Sequence, residues 1–256
     1  MSILDLFKLD GKIALVTGAS QGLGEAIAIA LAEAGAGIVS MSRSPEAPET
    51  AEYVKSLGRC YHTVKVDLRS ATVPELEAAV QQAIALAGRL DILVNNAGII
   101  LRAPAMDFAE ADWDAVMQVD LKAVFFLSQS AARHMHQNGG GKIINVASLL
   151  SFQGGIITPA YSAAKHGVVG LTRALCNEWA TKGINVNAIA PGYMETEVTA
   201  PLRADTDRNQ SILARIPAGH WGQPSDLQGA AVFLASDAAK YVHGITLTVD
   251  GGWMAR

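Results

Sequence analysis

The sequence is poor in cysteine, in charged residues and in long hydrophobic runs, and each shortage excludes a class of protein. Only two cysteines, Cys60 and Cys176, occur among 256 residues, too few for a disulfide framework and wrongly spaced for a structural zinc site. Charged residues make up 17% of the chain, and its lysines and arginines are scattered, so no basic surface for nucleic acid is expected. No apolar run approaches the roughly 18 residues that span a bilayer. We therefore expect a soluble, cytoplasmic protein with neither nucleic acid nor a membrane as partner.

The hydrophobic half of the sequence forms short β-branched runs that alternate with longer Ala- and Leu-rich stretches of helical spacing. Such alternation indicates βαβ units, and continuously apolar runs are typical of parallel strands covered on both faces. No linker or repeat divides the chain. We predict an α/β fold with a doubly wound parallel sheet of about seven strands and a single domain over residues 1–256. The predicted strands are 12–17, 37–42, 61–66, 91–95, 142–148, 184–190 and 245–250.

The segment 191–225 has the least regular sequence, because prolines and glycines interrupt it repeatedly. It follows the sixth predicted strand, and ligands of open α/β sheets bind at the carboxyl ends of the strands. We predict a lid-like loop at about 191–225. The alternative is a solvated surface excursion.

A glycine-rich turn follows the first predicted strand and opens onto a helix. Glycines let the backbone approach a pyrophosphate, while free N–H groups and the positive end of the helix dipole attract its charge. The turn lacks the Lys-Ser/Thr pair of a P-loop, which argues against ATP or GTP. An ordinary tight turn between strand and helix fits the pattern equally well. The predicted phosphate-binding residues are Gly18, Ser20, Gln21, Gly22, Leu23 and Gly24.

Polar motifs also end the fourth and fifth predicted strands. Asn95 and Asn96 are adjacent amides that can bind an adenine edge or tie neighbouring strands together. After the fifth strand, Tyr161 and Lys165 have the i, i+4 spacing that puts a phenol and an ammonium on one helix face. The cation can lower the pKa of the tyrosine from about 10 toward the working pH and make it a proton donor. The alternative is a surface aromatic resting on a lysine stem.

Together these motifs resemble the short-chain dehydrogenase/reductase family, from Leu9-Asp-Gly-Lys to Val249-Asp-Gly-Gly. The resemblance implies a Rossmann-type fold, a nicotinamide dinucleotide and a homotetramer. It implies that Ser148 holds the substrate oxygen, that Tyr161 exchanges its proton, and that Lys165 holds the nicotinamide ribose and lowers the pKa of the tyrosine. The other residues assigned to the cofactor are Asp67, Leu68, Asn95, Ala97, Gly98, Pro191 and Gly192.

Longer strings at 147–156, 189–194, 216–222 and 250–256 are similar to the subfamily of 2-dehydro-3-deoxy-D-gluconate 5-dehydrogenases. This resemblance implies that the substrate is a keto sugar acid and that a keto and a hydroxyl group are interconverted at its carbon 5. The alternatives are a gluconate 5-dehydrogenase, another short-chain carbonyl reductase and, outside the enzymes, a nicotinamide-binding sensor. A methyltransferase has no use for the Ser, Tyr, Lys set.

One residue departs from the family pattern. The family usually carries an asparagine where this chain reads Asp120, and its main-chain carbonyl is thought to hold a water that relays the tyrosine proton. Asp120 can still supply a carbonyl, so we retain it as a catalytic residue. We expect its carboxylate to raise the pKa of Lys165 and to weaken the effect of that lysine on Tyr161.

Two arginines bear on the choice of cofactor and substrate. The second predicted strand ends in Ser40-Met-Ser-Arg43, which offers no acid to a ribose 2′-OH and puts a guanidinium where a 2′-phosphate would lie. The residues therefore favour NADP, whereas the subfamily resemblance favours NAD.

A sugar acid needs a fixed cation for its carboxylate, and Arg102 is the first candidate, with Gln153 able to bond a hydroxyl. Secondary candidates are Arg203 and His220; the alternative is an exposed Arg102 without a ligand.

The predicted helix 160–182 carries apolar or small residues around most of its circumference, more than a sheet can cover. A partner subunit is implied, and the alternative is a helix deeply buried within one chain. The six histidines are isolated or wrongly spaced for one ligand, so no metal site is predicted.

Overall fold

Seven parallel strands form one sheet in the order β3-β2-β1-β4-β5-β6-β7. This computed structural model describes residues 2–44 and 47–256. All seven predicted strands are confirmed, and their ends differ from the prediction by at most two residues. The strands are β1 (Ile13–Thr17), β2 (Gly37–Ser42), β3 (Tyr61–Lys65), β4 (Ile92–Asn95), β5 (Gly141–Val146), β6 (Ile184–Pro191) and β7 (Thr246–Val249).

Helices cover both faces of this sheet, as the doubly wound prediction requires. The helices are α1 (Gly22–Glu33), α2 (Pro48–Ser56), α3 (Val73–Ala87), α4 (Glu110–Met117), α5 (Ala123–Gln137), α6 (Pro159–Trp179), α7 (Ala200–Ala204), α8 (Thr206–Leu213) and α9 (Gln228–Ala235). On one face of the sheet, Ile27 and Leu31 of α1 pack with Leu234 of α9. On the other face, Leu76 of α3 packs with Leu127 of α5.

A π-helical turn, Gln118–Lys122, joins α4 to α5 without a break. Such turns contain one residue more than an α-helical turn and are frequent at functional sites. This turn is not predictable from the sequence, because the apolar spacing on either side is that of ordinary helix. The turn lies next to the carboxyl end of the sheet, since α6 packs against both the turn and β6.

The sheet reverses its winding between β1 and β4, which are neighbours in space but not in sequence. In α/β proteins, a crevice opens at this point outside the carboxyl ends of the strands. Thr17 ends β1 and Asn95 ends β4, so the two polar motifs predicted from the sequence flank the reversal. Within the described part of the chain, no helix combines the length and the apolarity needed to cross a membrane.

The segment 191–225 differs from the irregular loop that its sequence predicts, because it contains α7 and α8. Pro201 stands in the first turn of α7, where its missing N–H is not needed. The Asp205 carboxylate accepts the N–H of Arg208 at 3.0 Å and caps α8. Ile212 and Trp221 pack against Trp253 near the carboxyl terminus. The Asp205 cap and this apolar cluster order the segment, and its role as a lid stays a prediction.

Candidate active site

The glycine-rich turn lies at the reversal point and opens onto α1. Gln21 is the cap residue of α1 and makes no side-chain hydrogen bond to the first turn, so its side chain leaves those N–H groups free. Gly24 packs against the turn so closely that a Cβ there would overlap the carbonyl oxygen of Gly18 and the amide of Asn96. The turn therefore has the free donors and the close backbone packing that a dinucleotide pyrophosphate requires.

Asn96 and Thr17 fix this turn to the end of β4. The amide nitrogen of Asn96 donates to the carbonyl of Thr17 at 2.9 Å. In return, the Thr17 hydroxyl accepts the N–H groups of Asn96 and Ala97 at 3.0 and 2.9 Å. Of the two roles open to the Asn-Asn pair, Asn96 thus ties neighbouring strands together.

The side chain of Asn95 is also structural rather than turned to the crevice. It is 3% exposed, and its amide nitrogen donates to the Ser128 hydroxyl and to the Asn145 amide oxygen, both at 2.9 Å. Asn145 in turn donates to the Thr172 hydroxyl on α6 at 3.0 Å. This buried chain of amides joins β4, β5 and α6, so only the backbone of Asn95 remains available on the adenine side.

The Ser148 hydroxyl is held at the end of β5 by a short capped turn. It accepts the N–H of Leu150 at 3.1 Å, while the Ser151 hydroxyl accepts the N–H of Ser148 at 3.2 Å. Ser151 also donates to the carbonyl of Lys165 at 2.8 Å. Ser151 therefore connects the strand end that carries Ser148 to the helix that carries Lys165.

Tyr161 and Lys165 lie on one face of α6, as their spacing predicts. The Lys165 ammonium is 5.5 Å from the centre of the Tyr161 ring, and it donates to the carbonyl of Val146 at 2.9 Å. Lys165 is 3% exposed, whereas Tyr161 is half-buried and keeps an edge toward the crevice. Ser148 is close enough to the phenol to act on its pKa. The structure thus brings Ser148, Tyr161 and Lys165 together.

Asp120 adds a buried carboxylate to this group. Its Oδ2 lies 3.4 Å from Nζ of Lys165, and its side chain is fully buried. Its Oδ1 accepts the N–H of Ile99 at 2.8 Å. A Cβ on Gly98 would lie 2.9 Å from Oδ2, so the absence of a side chain at Gly98 leaves room for the carboxylate.

The charges of these three groups act on one another. Burial raises the pKa of the Tyr161 phenol, Lys165 opposes this effect, and Asp120 adds to it. Burial alone would lower the pKa of Lys165, but Asp120 and Tyr161 raise it above its usual range. Burial raises the pKa of Asp120, against the opposing effects of Lys165 and of the Ile99 N–H. The effect expected of Asp120 on Lys165 therefore has the predicted sign, but the pKa of Tyr161 lies above its ordinary value instead of below it.

The residues predicted to bind the substrate differ in whether their side chains are free to do so. Arg102 is exposed on the segment after β4, and it lies near enough to Tyr161 for its charge to lower the pKa of the phenol. The amide oxygen of Gln153 is occupied, since it accepts from the indole N–H of Trp253 at 3.0 Å. Arg203 donates to the carbonyl of Thr196 at 3.2 Å, and the ring of His220 contacts the carbonyl of Trp221 at 2.8 Å; both serve local structure.

The other predicted cofactor residues line the same edge of the sheet. Arg43 is exposed directly after β2. The carboxylate of Asp67 accepts the N–H of Arg69 at 3.0 Å in the turn after β3. Pro191 ends β6, and Gly192 donates its N–H to the carbonyl of Val249 at 2.9 Å. In the described ranges 2–44 and 47–256, no cluster of three or more His, Cys, Asp or Glu side chains could hold a metal ion.

A family model described as short chain dehydrogenase matches residues 12–207. The chain belongs to the short-chain dehydrogenase family. Its membership agrees with the seven-stranded Rossmann-type sheet and with the grouping of a serine, a tyrosine and a lysine at one edge.

Relatives within this family share almost the full length of the chain. The 2-dehydro-3-deoxy-D-gluconate 5-dehydrogenase of Escherichia coli is 55% identical over 99% of this chain and 100% of that protein. A structure from Agrobacterium tumefaciens with bound NADP has 54% identity, a TM-score of 0.91 and coverage of 98% and 100% of the two chains. A gluconate 5-dehydrogenase from Burkholderia cenocepacia, solved with NADP and tartrate, has 43% identity, a TM-score of 0.94 and full coverage of both chains. This short-chain dehydrogenase is therefore a nicotinamide-dependent oxidoreductase that acts on CH–OH groups.

Several residues that build the site of this dehydrogenase escape sequence reasoning. Thr17 and Ser151 act through hydroxyls whose partners are distant in sequence. Gln118 donates to the carbonyls of Leu68 and Ala71 at 3.3 and 2.9 Å, which ties the turn after β3 to the π-helical turn. Only Ser151 left a signal, because the serines at 148 and 151 have the spacing of a capping box.

Proposed function

We propose that the protein interconverts a keto and a hydroxyl group at carbon 5 of 2-dehydro-3-deoxy-D-gluconate, with NADP as the preferred cofactor. The observation that carries the proposal is the juxtaposition of Tyr161 and the buried Lys165 beside Ser148. The substrate is supported by a relative of that activity with 55% identity along nearly the whole chain. The cofactor is supported by Arg43 at the end of β2 and by two similar structures with bound NADP.

The residues at the carboxyl edge of the sheet fit a nicotinamide dinucleotide. The turn from Gly18 to Gly24 would hold the pyrophosphate, and the backbone after β3 and β4, at Asp67 and Asn95, would border the adenine. Gly192 would lie beside the nicotinamide, because it follows the strand next to β5. When bound, the dinucleotide supplies or accepts the hydride.

In the direction of reduction, Tyr161 gives its phenolic proton to the carbonyl oxygen that becomes the new hydroxyl. Ser148 donates a hydrogen bond to that oxygen and fixes its position. Lys165 stabilises the phenolate that remains, since its buried ammonium, 5.5 Å from the centre of the phenol ring, acts strongly on a nearby negative charge. Oxidation reverses each step, and the Tyr161 phenolate then takes the proton of the substrate hydroxyl.

The protein is proposed to work in the cytoplasm as a homotetramer. Both cysteines are free thiols, which suits a reducing compartment. On α6, the large apolar residues Leu175 and Trp179 are buried by the chain itself, contrary to the expectation that they need a partner. The exposed face of α6 carries the small residues Ala163, Gly170 and Ala174 together with polar residues such as His166 and Arg173. Small residues allow the close approach of a helix from a second copy.

A gluconate 5-dehydrogenase is the second candidate. The gluconate 5-dehydrogenase from Burkholderia cenocepacia has a TM-score of 0.94 to this chain. Both candidates act on a carboxylate-bearing sugar derivative, so the same arginine is expected to serve either substrate. They differ at carbons 2 and 3, because gluconate has a hydroxyl group at each, whereas the deoxy acid has a keto group at carbon 2 and no oxygen at carbon 3. A panel of substrates distinguishes them.

The substrate proposal is tested with Arg102→Ala and a panel of sugar acids. Arg102 is an exposed cation whose charge acts on Tyr161, so its removal should weaken binding of a substrate carboxylate. We expect the KM for 2-dehydro-3-deoxy-D-gluconate to rise roughly tenfold to a hundredfold, the equivalent of one lost hydrogen bond to a charged group. The measurement is initial-rate kinetics from the absorbance of the reduced nicotinamide.

A neutral keto analogue of the same length is the control for Arg102→Ala, and its KM should change little. Equal losses for the acid and for the neutral analogue would remove Arg102 from the substrate site. If the unmodified protein turned over gluconate but no 3-deoxy acid, the gluconate activity would replace the proposed one. If the protein bound the nicotinamide cofactor but turned over no carbonyl compound, the result would favour the alternative of a nicotinamide-binding sensor.

Cofactor preference is tested with Arg43→Ala. The guanidinium of Arg43 would pair with a 2′-phosphate, which NADP has and NAD lacks. We expect the KM for NADP to rise roughly tenfold to a hundredfold and the KM for NAD to stay within about twofold. Arg133→Ala is the matched control, because Arg133 is an exposed arginine paired with Glu77 on the outer helices. An unchanged KM for NADP in Arg43→Ala would contradict the assignment.

A further inference from the structure

Asp120 lies in the most enclosed part of the site. It is 0% exposed in the π-helical turn. Oδ1 is satisfied by the N–H of Ile99, but Oδ2 has no hydrogen-bond partner among the described residues. It faces Nζ of Lys165 at 3.4 Å without hydrogen-bond geometry. A carboxylate held in this way costs free energy unless its charge is compensated, so its contact with Lys165 calls for an explanation.

The charged and titratable groups around Asp120 are few. On α6, Lys165 and Tyr161 lie near it, and the charge of Asp120 raises the pKa of both side chains. From the segment after β4, the N–H of Ile99 reaches it, while Arg102 on that segment and Ser148 after β5 act on Tyr161. The carboxylate therefore meets one cation, and that cation is the group that stabilises the Tyr161 phenolate.

This arrangement changes what Lys165 does for Tyr161. A lone buried ammonium would favour the phenolate with its full positive charge. With a carboxylate 3.4 Å away, the pair is neutral, and the phenolate gains less from it.

We propose that Asp120 is a positioning residue that offsets the positive charge of Lys165, so that Tyr161 retains its proton to higher pH. This proposal rests on the proposed function of Tyr161 as proton donor. Tyr161 is then suited to give a proton to a ketone over a wide pH range, and oxidation of the alcohol requires more alkaline solution.

The test is the pH profile of Asp120→Asn. Asparagine has nearly the same shape and can still accept the Ile99 N–H, but it carries no charge. The midpoint at which oxidation rises with pH should move down by about one to two pH units, and the midpoint at which reduction falls should move down equally. At pH values below both midpoints, the rate of oxidation is proportional to the fraction of Tyr161 that is phenolate. There, Asp120→Asn should oxidise the substrate roughly tenfold faster than the unmodified enzyme, or more.

Asp114→Asn is the matched control, because Asp114 is an exposed carboxylate of α4 in the same helical region. Its pH profile should match that of the unmodified enzyme. A merely structural role of Asp120 would lower activity equally at all pH values and leave both midpoints in place, which would overturn the proposal. Thermal unfolding in the same buffers establishes that Asp120→Asn is folded.

A second measurement needs neither turnover nor the Asp120 variant. Ultraviolet absorbance titration of tyrosinate, taken as the difference between the unmodified protein and Tyr161→Phe, gives the titration midpoint of Tyr161 itself. We expect a midpoint above the ordinary value of about 10, and one well below it would overturn the proposal. The proposed function fails under a different result: the unmodified enzyme then turns over no sugar acid at any pH.

Discussion

Tyr161→Phe is expected to reduce turnover by roughly 10² to 10⁴-fold, the usual contribution of a general acid. The change removes the one hydroxyl that can transfer a proton and leaves the ring against Lys165, which lies 5.5 Å from its centre. The ring therefore still fills its place in the site. Cofactor affinity should stay within about twofold of the unmodified enzyme, because the phenolic proton contributes to the transition state and not to binding. Steady-state kinetics and fluorescence titration with NADPH measure the two quantities.

Tyr53→Phe provides the matched control for this experiment. Tyr53 is an exposed tyrosine of α2 whose hydroxyl donates to Glu33 at 2.6 Å, away from the crevice. Its removal should leave turnover unchanged. Near-native turnover in Tyr161→Phe would show that another group supplies the proton and would end the assignment of Tyr161.

Gly24→Ala is expected to disrupt both the fold and the cofactor site. The added methyl group would overlap the carbonyl oxygen of Gly18 and the Asn96 amide, and the backbone there cannot yield without moving the whole turn. Overpacking of this kind costs about 1–3 kcal/mol of unfolding free energy. We also expect the Kd for NADPH to rise at least about tenfold, since the displaced N–H groups no longer converge on the pyrophosphate. Denaturant unfolding and ligand titration measure the two effects.

Gly229→Ala is the control for the glycine substitution. Gly229 lies in α9, and a Cβ there has no atom within 4 Å. Alanine is the better helix former, so this variant should gain about 0.5–1 kcal/mol of stability and bind cofactor normally. A Gly24→Ala protein as stable as the parent, with the same Kd, would mean that the turn can relax around a side chain.

Strands such as β1 and β4 are predictable because their continuously apolar sequences fit only the buried interior of a sheet. The residues of β1 and β4 are buried throughout, and uninterrupted apolar runs of that length fit a parallel sheet covered on both faces. The grouping of Tyr161 with Lys165 was predictable for a similar reason, because helical spacing alone puts them on one face.

Properties that depend on partners distant in sequence could not be predicted. Asn95 and Asn96 are adjacent and chemically equal, but the pleat sends Asn95 into the amide chain with Asn145 and turns Asn96 to the glycine-rich turn. The pKa of Tyr161 depends on the balance between burial and two opposite charges, and burial is a property of the folded chain. The helices within 191–225 depend on Asp205 as a cap, a role that proline-rich composition conceals.

The π-helical turn also changes the phase of a long helix. From Glu110 to Gln137 the chain is helical without a break, yet α4 packs on α6 while α5 packs on α3. One additional residue in the turn rotates everything after it by about 100° relative to an uninterrupted α-helix, because each residue of an α-helix advances by that angle. A single rod can therefore present its apolar stripe to two different neighbours. Deletion of one residue between Gln118 and Lys122 would restore the regular pitch and force a choice between those neighbours, so the length of this short stretch is as constrained as its composition.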